Sequence, residues 1–111
     1  MSNFRLRLRN AAQILCSHPG EIKFRLQEAI TTELILANFP EDTEVPEYFR
    51  AKLRAIINEV STKGWGNGVE GDHVRATLHG KHSKTLAKVA TEIFELFNDF
   101  EYYLSSGFIP E

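Results

Sequence analysis

Apolar residues recur along residues 84–105 at helical spacing. Leu86, Ala90, Ile93, Phe97, Phe100 and Leu104 step by four, three, four, three and four, and Val89, Leu96 and Tyr103 widen the same face. A period near 3.6 gathers all of them into one stripe of an α-helix. Phe94 falls off that stripe and is a candidate contact for another chain. Residues 46–62 repeat the pattern, with Phe49, Leu53, Ile56 and Val60 as the seam. Pro46 can stand in the first turn, where its missing N–H is no loss. Glu59 and Lys63, acid first and four apart, can pair on the outer face.

Two further segments carry the same period less cleanly. In residues 21–38 the stripe is Ile22, Leu26, Ala29 with Ile30, and Leu34, while Phe24, Ile35 and Leu36 are apolar on other sides. Near the N-terminus, "FRLRLR" alternates with the period of a strand. It continues into "NAAQILC", however, and Phe4, Leu8, Ala11, Ala12 and Leu15 then share one helical face. A helix through about residue 16 follows, ended by "SHPG", where Pro and Gly punctuate the chain. "FPEDTEVP" reads as a loop with two prolines, and "KGWGNGVEG" as a loop because four glycines would each weaken a helix by about 1 kcal/mol. Asp72 can cap a short helix reaching His79, Gly80 can end it, and Ser83 can cap the last helix. Gly107 can terminate that last helix. The expected fold is all-α, one domain over residues 1–111: a bundle of four long helices plus one short helix.

Composition adds constraints. A chain of 111 residues, 42% hydrophobic and 25% charged, suits one globular domain. The net charge of -2 does not advertise a nucleic-acid or membrane partner. Cys16 is the single cysteine, so no internal disulfide forms, and it reads as a small core residue. No apolar run approaches the ~18 residues of a membrane span, and "MSNFRLRLRN" lacks the apolar stretch of a secretory signal, so a cytoplasmic protein is expected. Charge is unevenly spread. Residues 1–25 carry Arg5, Arg7, Arg9, Lys23 and Arg25 against Glu21, whereas residues 89–111 carry five acids and no base. Either the basic first helix lies beside the acidic last one, or it is a patch open to nucleic acid. In the second case Arg5, Arg7 and Arg9 would join Lys81, Lys84 and Lys88 in a surface that tracks phosphates.

The densest run of chemically able residues is "GDHVRATLHGKHSKT", residues 71–85. His79 and His82 form the only close pair of metal-ligand type, and Gly80 breaks the helix between them, so no metal is expected. Arg75 and His82 enclose six residues in "RATLHGKH". That spacing, late in a helical chain and before its longest helix, resembles the Arg-x4–6-His signature of HEPN domains. The resemblance implies a dimeric, metal-independent RNase in which His82 serves as general acid or base and Arg75 stabilises the transition state. HEPN motifs often carry a polar residue after the Arg, where this chain has Ala76. A broader pattern, "RLQEAI…FPEDTEVPEYFRAKLRAIINEVST…VRATL…AKVATEIFELFNDF", resembles small bacterial all-helical proteins of mobile and phage-defence gene clusters, and implies no catalytic residues. "GWGNG" lacks the preceding strand and following Lys-Ser/Thr of a phosphate loop. Trp65 within it pins the loop or anchors an interface. Tyr102 and Tyr103 read as half-buried lids.

The leading expectation is a non-enzymatic module that binds protein, as a homodimer, without a cofactor. Its interface candidates are Phe24, Leu36, Trp65, Phe94, Phe108 and Ile109. A HEPN-like RNase and a nucleic-acid-binding module are the alternatives.

Overall fold

In a computed structural model that describes residues 2–17, 20–37, 45–60 and 83–110, every regular element is helical. They are α1 (Ser2–Ser17), α2 (Ile22–Ala29), a π-helical turn (Ile30–Leu34), α3 (Ile35–Ala37), α4 (Glu47–Glu59) and α5 (Ser83–Ser106). The α2, π and α3 segments run on without a break, so the all-α bundle is built on four long helices. The short helix expected over residues 72–79 lies outside the described residues, as do Asp72, Gly80 and the glycine loop before them.

The π turn was not expected, and its cause lies in the spacing of the stripe. Ile22, Leu26, Ile30 and Leu34 follow one another by steps of four. In an α-helix of 3.6 residues per turn each such step overshoots by about 40°. A wider turn takes up the surplus, and the Ile35 N–H accordingly donates to the Ile30 carbonyl, five residues back. Leu26, Ile30 and Leu34 all end fully buried. Thr31 and Thr32 favour the distortion, since their hydroxyls donate to the carbonyls of Gln27 (2.7 Å) and Glu28 (2.6 Å). Hydroxyls that bond back to a carbonyl one turn earlier loosen and bend a helix.

The helix ends show how the chain turns. Gly20, at φ +106°, supplies the left-handed residue between α1 and α2. Arg25 then reaches back, its Nη1 donating to the Leu15 carbonyl (2.6 Å) and its Nε to the Gly20 carbonyl (3.1 Å). Leu15 lies in the last turn of α1, where carbonyls have no partner within the helix. Pro46 precedes α4, and its carbonyl accepts the N–H groups of Phe49 and Arg50. Val45 before it is fully buried, and its carbonyl accepts the Arg50 Nε at 3.0 Å.

Within two pairs, α1 with the α2–α3 rod and α4 with α5, the helices run antiparallel, as contacts at both ends of each pair require. The start of α4 meets the end of α5 through Phe49 and Tyr103, and Glu59 at the end of α4 meets Lys88 near the start of α5. Likewise Arg7 of α1 reaches Glu33 while Arg25 reaches Leu15. Four rings knit α1, α4 and α5 together. Phe100 sits 4.8 Å from Phe4 and 5.1 Å from Phe49, both edge-on, and Tyr103 covers Phe49 and Phe100. Phe4, Phe49 and Phe100 are among the largest fully buried side chains. Burying each contributes about 1.5–3 kcal/mol, and edge-to-face pairing adds to it.

Candidate functional site

Three surfaces of the bundle carry polar or exposed apolar groups arranged by the fold. The first is the flank of α1. Arg5 forks onto Glu101 of α5, Nε to Oε2 at 2.8 Å and Nη2 to Oε1 at 2.9 Å. This bidentate pair holds the Glu101 carboxyl below the usual carboxylate range. Arg7 and Asn10 instead donate to the same oxygen of Glu33, at 3.1 and 3.2 Å, so the π turn aims a carboxylate at α1. Of the two readings of the uneven charge, the basic first helix is therefore beside acidic partners at both Arg5 and Arg7. Arg9, Lys84 and Lys88 are exposed, and Lys88 stands 4.0 Å from Glu59.

The second surface is the C-terminal end of α5. Gly107, at φ +78°, closes the helix, its N–H donating to the Tyr103 carbonyl at 2.7 Å. The Ser106 hydroxyl donates to the Tyr102 carbonyl (2.7 Å) and accepts the Phe108 N–H (3.1 Å). These bonds fold the tail back, and Phe108 meets Tyr102 edge-on at 5.9 Å between ring centres. Both rings stay exposed, at 57% for Tyr102 and 55% for Phe108, and Ile109 beside them is exposed too. Tyr102 is thus no half-buried lid, whereas Tyr103 is half-buried over the aromatic cluster. The place of Tyr102 off the stripe, two residues after Phe100, is the signal that spacing offered.

The third is a cleft of about 220 Å³ between α4 and α5, lined by Tyr48, Lys52, Ile56, Glu59, Glu92, Glu95, Leu96 and Asp99 among others. Glu59, expected to pair with Lys63, turns here toward α5; Lys63 lies outside the described residues. Glu92 Oε1 is buried with no donor among the described residues. Desolvation and the neighbouring Glu59 carboxyl push the Glu92 carboxyl up from its ordinary value. Spacing could have flagged Glu92, which stands three residues after Val89 and four before Leu96, at the edge of the stripe. No three His, Cys, Asp or Glu side chains converge as a metal site would need, among the described residues.

The remaining sequence candidates divide plainly. Phe24 and Leu36 are exposed on α2 and α3, with Lys23 Nζ 5.5 Å from the centre of the Phe24 ring. Phe94, read as lying off the stripe, packs half-buried against the core, because the buried face of α5 extends to both sides of Ile93. Cys16, read as a core residue, is exposed. The inward positions of that turn are taken by Ala12, Ile14 and Leu15. Arg75, His79, Lys81 and His82 lie outside the described residues, as does Trp65. No helix among the described residues is long and apolar enough to cross a membrane. No protein-family model, curated protein or solved structure matches the chain.

Proposed function

We propose that the chain is a helical protein-binding module without an activity of its own, and that it pairs with a second copy of itself through the C-terminal end of α5. The observation that carries this reading is the Tyr102–Phe108 pair. Two large rings, more than half exposed, are held in contact by the Gly107 turn and the Ser106 hydroxyl rather than left to wander. Aromatic side chains fixed in advance lose little freedom on binding, and contacts of this kind dominate the energetics of interfaces. Ile109, next to Phe108 in the chain, is exposed as well, and exposed apolar groups gathered at one end of a helix are a usual mark of association.

The test is the mass in solution. Light scattering over a wide range of concentration is expected to rise from 12.7 kDa toward twice that value. The double variant Tyr102→Asp, Phe108→Asp should remain at the lower mass while keeping its helical circular dichroism. A wild-type mass that stays at 12.7 kDa throughout would overturn pairing.

A further inference from the structure

The seam between α4 and α5 contains a polar feature that packing alone does not explain. Glu92 is carried on the apolar face of α5, between Val89 and Leu96, both buried. Its Oε1 is shut off from solvent and receives no hydrogen bond from the described residues. A buried carboxylate oxygen without a donor is among the costliest arrangements a fold can keep, whereas a carboxylic acid in the same place brings its own proton. Glu59 of α4 stands within hydrogen-bonding reach across the cleft. Two carboxyls at that range cannot both ionise cheaply, and a single proton between them turns repulsion into a hydrogen bond.

The groups around the pair favour keeping that proton. From α5, Glu95 and Asp99 add negative charge along the cleft, and Lys88 approaches Glu59 at 4.0 Å with two thirds of its side chain in water. From α4, Lys52 and Tyr48 line the same cleft. Among the described residues four carboxyls thus face two ammonium groups, both on exposed lysines, and the balance of charge resists a further anion.

We propose that Glu59 and Glu92 hold one proton between them, and that this proton fastens α4 to α5, so that the seam slackens when it leaves. No bond other than the O–H is broken in the step: the proton passes to water, and two carboxylates are left opposed. A group that holds its proton more tightly in the fold stabilises the folded state fully below its unfolded titration range. It loses that contribution as pH rises through its folded one. The fold is therefore a pH-sensitive latch, closed below the ordinary glutamate range and eased as pH rises through the raised one. It does not depend on the pairing of chains proposed above, since the carboxyls lie within one chain.

Carboxyl-carbon NMR titration of the full chain, with thermal melting at about pH 5 and about pH 8, reads the latch directly. One glutamate is expected to titrate above all the others. Glu92→Gln should abolish that titration, and Glu59→Gln should return it to the ordinary range. The wild-type melting temperature should drop between the two pH values, and that of Glu92→Gln should drop less, because the amide supplies a donor at every pH. If every glutamate titrates in the ordinary range, or if Glu92→Gln loses as much as the wild type, the shared proton is refuted.

Discussion

Phe100 is the residue on which the packing converges. Its ring is fully buried and touches Phe4 from α1 and Phe49 from α4, so it belongs equally to three helices. Removing a buried aromatic side chain forfeits its transfer energy and leaves a cavity that neighbours fill only in part. Phe100→Ala should cost about 3–5 kcal/mol, read as a lower midpoint in urea unfolding. Out of a typical total of about 5–15 kcal/mol, that is enough to bring the domain near its threshold. The role of Phe100 as a core residue was legible from its place in the stripe. Its shared position between three helices was not, since spacing reports which face is buried and never what lies against it.

Among the elements, α1 offers a comparison of two ion pairs with different surroundings. Arg5 and Glu101 form the better geometry, yet half of the Arg5 side chain lies in water, at 50% exposure. Solvent and salt screen such a pair, and side-chain ordering offsets much of the rest, so that little net stabilisation is left. Glu33 is only 14% exposed and accepts from both Arg7 and Asn10. Its loss strands two donors at a partly buried seam. Glu33→Ala should therefore cost about 1–2 kcal/mol, more than Glu101→Ala, and its effect should persist at high salt where that of Glu101→Ala fades. Denaturant unfolding at low and high salt separates the two. The uneven charge along the chain allowed two readings, and α1 beside an acidic α5 was one of them. It did not foretell the pairing of Glu33 with Arg7 and Asn10, because spacing along one helix does not say which neighbour its side chains meet.

For the whole molecule, pH sets two opposed trends. Glu47, bonded to Arg54, and Glu101, bonded to Arg5, both titrate below their ordinary value. A carboxyl lowered in the fold contributes stability above its unfolded range and loses it as pH falls through the folded one. Glu92 works in the other direction, having been raised by burial and by Glu59. The two trends meet near the unfolded glutamate value of about 4.3, so the optimum should lie on the acid side of neutrality. Urea midpoints measured from about pH 2 to about pH 8 should trace a maximum there. Arg5→Gln should flatten the acid side of that curve and leave the alkaline side unchanged. The aromatic end of α5 belongs to this scale as well, since the apolar surface it leaves in water is removed only by a second surface.

What the sequence determined by itself was the four long helices and the main apolar stripe each one buries. A repeat of hydrophobic positions is a local property, and one period of the backbone reads it. The all-α class, the stripes on α4 and α5, and the Gly107 stop all followed from it. Tertiary structure alone decided the pairings: Arg5 with Glu101, Glu33 with α1, Glu59 against Glu92, Phe108 against Tyr102. Each joins residues from different turns or different helices, and their meeting depends on register and on how far each helix turns. A single π turn changes that angle, and no run of residues read in isolation fixes where its polar side chains will arrive.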